Sequence, residues 1–256
     1  MKKPNLPFLD REGRVAPPPK RRLLREFRSV LTPRPRLFRD ARVRGAPKGD
    51  GHPVFVLPGF LTNDTRTRHL RAFLTRLDYA VYGWGEGVNW GPTSRAVTGA
   101  ERRLKEIRRE HGRRVTLVGH SLGGVLAREL AKKFPDDVRQ VVMLGSPVRL
   151  PTASNLAVFF RMLSRFHSPT VGSDIAEMNR PPPDDIPVMA IYTREDGIVA
   201  WQSCLEQPGP RRENIEVLGT HSTLPTNPEV LRLVAECLAE PEGRWRPYRK
   251  RQSAAA

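Results

Sequence analysis

One serine lies in a pattern that suits a nucleophile. The sequence Gly119-His120-Ser121-Leu122-Gly123-Gly124 directly follows Val115–Val118, an apolar run typical of a buried strand, and directly precedes a helical pattern. Glycines are needed at such a sharp strand-to-helix turn, because side chains at Gly119 and Gly123 would collide with neighbouring backbone. The turn lifts the serine hydroxyl clear of the sheet and places backbone N–H groups of the helix beside it. The pattern predicts Ser121 as the nucleophile of an acyl-transfer reaction.

A serine hydroxyl is a poor nucleophile at neutral pH and needs a base that is itself oriented by a carboxylate. His221 follows the last predicted strand and precedes the last helix, which places it at the carboxyl edge of the sheet, where open α/β folds bind ligands. Asp196 follows the strand before it, and Glu195 is its rival. We favour Asp196, because an aspartate followed by glycine at a tight turn can direct its carboxylate back into the site.

The remaining five histidines are weaker candidates. His120 is adjacent to Ser121, but from a sharp turn it cannot point at the serine, so we interpret it as a packing residue. The other four lie in loops or in charged helical contexts, and exposed positions are expected for them: His52, His69, His111 and His167.

A glycine-rich loop offers a second interpretation. Gly83, Gly85 and Gly87 follow a predicted strand, as a phosphate-binding loop would, but the third spacing of that motif is missing and no helix begins at Gly87. A tight loop beside the active site is the better interpretation. No cluster of His, Cys and Asp residues has metal-ligand spacing, so neither a cofactor nor a metal is expected.

The strands and helices that must position these residues can be predicted from the sequence. Apolar runs alternate with segments of helical periodicity, a pattern typical of a parallel sheet with crossover helices. The fold class is therefore α/β, with a mostly parallel central sheet flanked by helices. The predicted strands are Val54–Leu57, Ala80–Trp84, Val115–Val118, Val141–Leu144, Val188–Tyr192 and Ile215–Val217. The clearest helices are Arg95–Glu110, Leu122–Phe134 and Pro228–Leu238.

An insertion, residues 146–187, interrupts this alternation between two late strands. A gap of that length inside a compact domain is usually functional, such as a lid or a binding insertion. Apolar residues between Leu156 and Phe166 predict one short helix within it, and Phe159 or Phe160 could cover a pocket.

Charge divides the 256-residue chain into three parts. The net charge is +17, yet residues 1–50 hold 15 basic and 5 acidic side chains, and residues 241–256 hold 5 and 1. Residues 51–240, the predicted catalytic domain, are close to neutral with 24 basic and 21 acidic groups. A domain that binds nucleic acid over its whole surface is thereby made improbable, and no specific nucleic-acid partner is expected.

The basic N-terminal segment contains one helical pattern, Lys20–Leu31. Leu23, Leu24, Phe27, Val30 and Leu31 recur at helical spacing, and arginines occupy the other positions. Such a helix can lie on an anionic membrane surface, or it can pack its apolar face on the main domain. The sequence leaves both alternatives open.

The compartment is suggested by what the sequence lacks. Cys204 and Cys237 could form at most one disulfide, so buried thiols are expected. No apolar core of a secretory signal follows Lys2 and Lys3, and no stretch approaches the roughly 20 apolar residues of a spanning helix. We expect a soluble cytoplasmic protein that could be peripheral to the membrane through its basic ends.

Residues 51–240 resemble the α/β-hydrolase superfamily in its lipase and esterase branch. In that branch the catalytic residues follow one another along the chain as serine, acid and histidine, which is the order of Ser121, Asp196 and His221. The resemblance implies an oxyanion hole made by two backbone N–H groups, that of Leu122 after the nucleophile and that of Phe60 after an earlier strand. Pro58 stands where many members have histidine. Backbone donation survives that change, although the support of the loop can differ.

A wider pattern resembles small bacterial hydrolases related to triacylglycerol lipases and to GPI-inositol-deacylase-like proteins. It consists of Pro58-Gly59-Phe60, Gly83-Trp84-Gly85, Asn89, Gly119–Gly124 and Glu242-Gly243-Arg244-Trp245. This narrower resemblance does not determine a substrate.

Together these residues predict a serine carboxylic-ester hydrolase that acts on a small-molecule acyl ester or a lipid. The predicted acyl pocket is apolar and is lined by Phe60, Leu61, Leu122, Val199 and Trp201, with Phe159 or Phe160 above it. Two alternatives remain: an acyltransferase that uses the same residues, or a non-catalytic hydrolase scaffold whose basic ends bind RNA or a protein partner. The sequence does not predict an oligomeric state.

Overall fold

The computed structural model describes residues 16–31, 40, 43–149, 154–155 and 179–248. Within them, six parallel strands form one sheet in the order β2-β1-β3-β4-β5-β6. The strands are β1 Pro53–Leu57, β2 Ala80–Tyr82, β3 Val115–His120, β4 Val138–Leu144, β5 Val188–Tyr192 and β6 Arg212–Glu216. The α-helices are α1 Lys20–Leu31, α2 Asp64–Arg76, α3 Ser94–His111, α4 Leu122–Lys133 and α5 Pro228–Leu238.

The strand order places a topological switch point between β1 and β3. The chain leaves β1 towards β2 on one side, whereas β3 pairs with the other side of β1. Loops that leave the carboxyl ends of two such strands diverge and open a crevice, which is where α/β sheets bind ligands. The two loops at this crevice are residues 58–61 and the turn at Ser121.

Two apolar layers hold the helices on the sheet. Alternate residues of a strand face opposite sides, so Val54 and Val56 pack against α2 and α5, while Phe55 and Leu57 pack against α3 and α4. Every residue of β1, β3, β4 and β5 is buried. Burial on both faces explains why β1, β3, β5 and the last four residues of β4 read as largely apolar runs in the sequence.

The bounds of β2, β4 and β6 differ from the predicted ones. β4 begins at Val138 rather than at Val141, because Arg139 and Gln140 interrupt the apolar pattern although both are buried. β2 ends at Tyr82 rather than at Trp84, because the backbone N–H of Trp84 donates to the Asp64 carboxylate (2.8 Å) instead of to a neighbouring strand. β6 begins at Arg212 rather than at Ile215. Its sequence, RENIE, is polar and only partly buried because it pairs on one side alone, so hydrophobicity did not indicate where it starts.

Helix α1 has its predicted bounds, but its apolar side chains Leu24 and Phe27 point to solvent and are 64% and 62% exposed. For these two residues, packing of the apolar face on the main domain is therefore wrong. The helix contacts the domain through Glu26, Arg22 and Ser29 instead.

The predicted lid helix, with Phe159 and Phe160, lies outside the described residues, as does the tail after residue 248. The described ends of the insertion are attached to the domain. Ser154 pairs with Val199 in an antiparallel bridge, and the carbonyl of Asn179 accepts hydrogen bonds from Arg128 (3.1 Å) and Gln207 (2.8 Å). Among the described helices, none is both long enough and apolar enough to cross a membrane.

Candidate active site

Ser121 occupies a strained turn between β3 and α4. Its φ and ψ are 54° and −123°, a left-handed conformation that a side chain other than glycine rarely adopts. A Cβ at Gly119 would lie 2.3 Å from the backbone of Gly124, and one at Gly123 would lie 2.3 Å from the carbonyl oxygen of Leu57. Glycine is therefore required at both positions, as the sequence predicted.

His221 and Asp196 form a buried pair at the same edge of the sheet. The Nδ1 atom of His221 lies 2.6 Å from Oδ2 of Asp196, and both residues are at least 95% buried. The other oxygen of Asp196 accepts the N–H groups of Ile198 and Val199, each at 2.8 Å, which fixes the carboxylate. The rival carboxylate, Glu195, instead forms an exposed ion pair with Arg25.

Contacts with the end of β4 bring this pair and the serine turn together. The N–H of Ser121 donates to the carbonyl of Leu144 (2.8 Å), and the imidazole of His221 lies over the next residue, Gly145. A Cβ on Gly145 would lie only 3.1 Å from Nδ1 of His221. The absence of a side chain at Gly145 thus lets the imidazole approach the strand end beside Ser121.

The electrostatic surroundings favour a proton on His221. Burial lowers its pKa, but the negative charge of Asp196 and the hydrogen bond to it outweigh that effect, and the charge of Glu26 adds to them, so the pKa of His221 is raised. Since Nδ1 faces a carboxylate, it carries the proton, and Nε2 of the neutral ring is left as the basic atom.

His120 is fully enclosed below His221. The ring centroids of the two histidines are 5.0 Å apart, and Nε2 of His120 donates to the backbone carbonyl of His221 (3.0 Å). Burial and the neighbouring imidazole hold the pKa of His120 well below its ordinary range. These contacts give His120 the packing role that the sequence indicated. The expectation of an exposed position was wrong for His52, which is fully buried with its ring between Asp50 (2.5 Å) and Thr116 (3.0 Å).

The loop after β1 lies against the serine turn. A Cβ on Gly59 would be 3.1 Å from Cβ of Ser121, so the backbone of this loop is adjacent to the serine side chain. Phe60, the predicted oxyanion donor in this loop, is half-buried, and Leu122, the other predicted donor, is the first residue of α4. Two backbone segments therefore flank Ser121 at the switch point.

Asn89 secures this loop. Its side-chain Nδ2 donates to the carbonyl of Pro58 (2.9 Å), its backbone carbonyl accepts from Leu61 (2.8 Å), and its N–H donates to Thr62 (2.8 Å). Leu61 is held at a φ of 56°, which is unusual for a leucine. The sequence singled out Asn89 only through a resemblance and assigned it no task, because nothing local shows which carbonyl an asparagine will reach.

Glu26 is the other residue near the site that sequence reasoning missed. It is the only acidic residue in α1, a helix with five basic ones, and it is 98% buried beside His221. A single acid among many bases reads as charge balance, so no pattern around Glu26 indicates that it is buried.

The residues predicted to line an acyl pocket have separate positions. Leu61 is partly exposed after β1. Trp201 stacks on Tyr192 with ring centroids 5.6 Å apart, and the guanidinium of Arg194 lies over the Trp201 ring, 4.7 Å from its centroid. Val199 is buried in the same small cluster and holds Asp196 through its N–H. Phe159 and Phe160 lie outside the described residues, so the pocket stays a prediction.

The glycine-rich loop has an internal partner for its N–H groups. The Asp64 carboxylate accepts from Trp84 and Gly85 at 2.8 and 2.9 Å, where a phosphate would bind in a nucleotide site. A Cβ on Gly83 would lie 2.6 Å from the same carboxylate. Within the part of the chain that the structure describes, no group of His, Cys, Asp and Glu side chains could hold a metal ion, and Cys204 and Cys237 are buried free thiols.

Solved structures of other proteins share this architecture. Solved structures that resemble the chain include a monoacylglycerol lipase from Paleococcus ferrophilus, with 17% identity, a TM-score of 0.55, and coverage of 75% of this chain and 96% of that one. Aspergillus fumigatus lipase B has 16% identity and a TM-score of 0.57 over 80% of this chain and 55% of its own. A pyrethroid hydrolase has 17% identity and a TM-score of 0.55 over 76% and 99%. At these identities the likeness shows the fold. A search of curated proteins found no match.

Residues 49–256 match the model of the alpha/beta hydrolase family, and the chain belongs to that family. The match confirms the resemblance that the serine turn and the order of the site residues predicted. It also places α1, which carries Glu26, outside the matched region.

Proposed function

We propose that this member of the alpha/beta hydrolase family is a serine carboxylic-ester hydrolase that acts on apolar acyl esters through Ser121, His221 and Asp196. The observation that carries the proposal is the buried His221–Asp196 pair at the sheet edge where Ser121 occupies its strained turn. Lipases among the similar solved structures support an ester as the substrate class.

In the first half of the reaction, Nε2 of His221 takes the proton of the Ser121 hydroxyl as the serine oxygen attacks the ester carbonyl. The imidazolium that forms is stabilised by Asp196, whose carboxylate is already fixed by two backbone N–H groups. The backbone N–H groups of Leu122 and Phe60 stabilise the oxyanion. His221 then protonates the leaving alcohol, and an acyl-enzyme on Ser121 remains.

In the second half, His221 takes a proton from a water molecule, which attacks the acyl-enzyme carbonyl. The tetrahedral intermediate uses the same two N–H groups, and its collapse returns the proton to Ser121 and releases the carboxylic acid. The acyl chain would lie along the apolar residues beside the turn, which include Leu61.

The test is the initial rate of hydrolysis of p-nitrophenyl esters from acetyl to palmitoyl, with Ser121→Ala in parallel. Ser94→Ala is a matched control, since Ser94 is an exposed residue at the start of α3. We expect turnover in the wild type and in Ser94→Ala and its loss in Ser121→Ala. Ester turnover that survives in Ser121→Ala would refute the proposal, and measured release of free acid distinguishes hydrolysis from acyl transfer.

We further propose that the edge of the sheet bearing the site faces an anionic lipid surface. In the described part of the chain, the exposed large apolar side chains lie in two places. Some are on α1, which packs on loops at this edge, and the others are in loops that follow the carboxyl ends of strands. Together they are Leu24, Phe27, Leu61, Trp90 and Leu218. Arginines on α1 add positive charge beside the apolar side chains, a combination that favours anionic membranes.

Sedimentation with vesicles tests this partner. Burial of Leu24 and Phe27 in the interface should contribute about 1–2 kcal/mol each, so the double change Leu24→Ser and Phe27→Ser should weaken binding at least about thirtyfold. Vesicles of phosphatidylglycerol should bind the wild type more tightly than vesicles of phosphatidylcholine. Equal binding of the wild type and the double variant to anionic vesicles would contradict the assignment.

A further inference from the structure

The carboxylate of Glu26 joins the two loops that carry His221 and Asp196. One oxygen accepts the N–H of His221 (2.8 Å) and the N–H of Gly197 (2.9 Å), the residue after Asp196. The other oxygen accepts the N–H of Ser222 (2.8 Å). A single side chain from α1 thus fixes the backbone on either side of the buried imidazole–carboxylate pair.

Other contacts of α1 converge on the same two loops. Arg22 donates to the carbonyl of Arg194 (2.6 Å), and the hydroxyl groups of Ser29 and Thr220 are 3.1 Å apart. A Cβ on Gly197 would lie 2.7 Å from the backbone of Arg22, so helix and loop are in close contact. The helix therefore spans from the loop after β5 to the loop after β6.

The burial of Glu26 distinguishes it from a surface contact. A carboxylate that is 98% buried loses its hydration, and hydrogen bonds to the charged form compensate for that loss. The three N–H groups supply that compensation, and two of them belong to His221 and to the neighbour of Asp196. Stabilisation of α1 alone would not require that the partners be these two loops.

Four charged or titratable groups face His221. Asp196 and Glu26 are negative and favour its imidazolium form, whereas Arg66 on α2 opposes it. His120 at the end of β3 also faces the ring, but burial and the charge of His221 hold the pKa of His120 well below its ordinary range. Arg66 is held in place by its hydrogen bond to the carbonyl of Ser222 (2.6 Å). Of the two carboxylates, only Asp196 contacts the ring, so Glu26 acts on it through the backbone and through its charge.

We propose that Glu26 is a positioning residue: its carboxylate holds the His221 loop and the Asp196 loop together so that the imidazole stays aligned between Asp196 and Ser121. This inference rests on the proposed ester-hydrolase function. It also assigns a task in the site to a helix that lies outside the region matched by the family.

The test compares Glu26→Gln, Glu26→Asp and the wild type in the full chain with a soluble short-chain p-nitrophenyl ester, each normalised by titration of Ser121 with a fluorophosphonate. A glutamine presents an NH₂ group to one of the three N–H donors and carries no charge. Because a displacement of about 1 Å at a catalytic group can cost about 10²-fold, we expect kcat to fall roughly 10- to 100-fold in Glu26→Gln, while KM changes less than about threefold.

The pH profile provides a readout that a purely structural role would not move. Removal of the negative charge lowers the pKa of His221, so the acid limb of kcat/KM in Glu26→Gln should shift to lower pH. Glu26→Asp keeps the charge on a shorter side chain, so it should recover part of kcat and keep the acid limb near that of the wild type.

Glu229→Gln on α5 is the matched control, because it makes the same substitution at a residue outside the site, and wild-type kinetics are expected for it. The proposal is overturned if Glu26→Gln has a kcat within twofold of the wild type and an unchanged acid limb. A lower melting temperature with unchanged kinetics per titrated site has the same meaning, since Glu26 would then only stabilise α1.

An NMR titration of the His221 imidazole makes the result independent of turnover. We expect its pKa to be lower in Glu26→Gln than in the wild type, and an equal pKa in both proteins would contradict the proposal. If the wild type hydrolysed no ester in a Ser121-dependent manner, the ester-hydrolase function would fail, while the titration would still decide whether Glu26 acts on His221.

Discussion

Asn89→Ala tests whether the loop after β1 takes part in the chemistry. The substitution removes two side-chain hydrogen bonds and leaves the carbonyl of Pro58 and the N–H of Gly91 without their partner, in a place where Asn89 is 98% buried. An unpaired buried group costs about 1–3 kcal/mol, so the free energy of unfolding should fall by about 2–6 kcal/mol.

The kinetic effect follows from the neighbouring serine. Since Gly59 contacts Ser121, a loosened loop moves the N–H of Phe60 relative to the reacting carbonyl. Complete loss of one oxyanion donor costs about 10²–10³ in kcat, so we expect a decrease of about 10- to 10³-fold. KM should change little, because these donors engage the oxygen most strongly when it becomes charged.

Asn214→Ala is the matched control for this change. Asn214 on β6 likewise forms two side-chain hydrogen bonds to backbone groups, but at an exposed position: it accepts from the N–H of Glu206 (2.7 Å) and donates to the carbonyl of the same residue (3.0 Å). Urea unfolding and steady-state kinetics with a short-chain ester, normalised by fluorophosphonate titration, would be measured for both variants. If both were destabilised but Asn89→Ala kept a kcat within threefold of Asn214→Ala, the loop after β1 would not hold an oxyanion donor.

Three further results are expected. His221 acts as a base only when it is neutral, and its pKa is raised, so kcat/KM should be lost as the pH falls through a value above the ordinary histidine pKa of about 6.5. A pH–rate profile with its acid limb below about 6.5 would contradict this. Asp196→Asn should lower kcat by about 10⁴-fold, as loss of the orienting carboxylate does in serine proteases. The kcat of the control Glu195→Gln should stay within about threefold of the wild type, and equal losses in the two variants in the same ester assay would disprove the assignment of Asp196. Arg128→Met leaves the buried Glu206 without its bidentate partner, so the free energy of unfolding measured with urea should fall by about 3–5 kcal/mol. A decrease below about 1 kcal/mol would show that this ion pair is not what stabilises the region.

Strands β1 and β3 were predictable because burial on both faces leaves a continuous apolar run. The serine turn was predictable for a related reason, since the glycines needed at close backbone contacts leave a fixed spacing in the sequence. Both signals are local. Both patterns extend over a few neighbouring residues and can be recognised there, even though one of their causes, the close approach of Gly123 to the carbonyl of Leu57, involves a distant part of the chain.

The contacts of Asn89 and Glu26 could not be predicted in this way. Each side chain binds backbone groups far along the chain, and a backbone N–H or carbonyl is the same at every residue, so the partner leaves no mark in the sequence. Helix α1 shows the same limit. Its periodicity gave its bounds, but it could not show that the polar side, with Glu26 in it, is the side that packs on the domain.

The contacts of Glu26 also constrain the order in which the protein acquires its structure. Glu26 must meet partners 171 and 195 residues further along the chain, and contacts between such distant residues are slow to form. A helix of 12 residues is only marginally stable by itself, so α1 gains its stability when both loops are already in place. Helix α1 is therefore among the last of the described elements to dock. A refolding chain should regain its sheet before it regains turnover. The interval between these two events is the time that α1 needs to dock on the loops after β5 and β6.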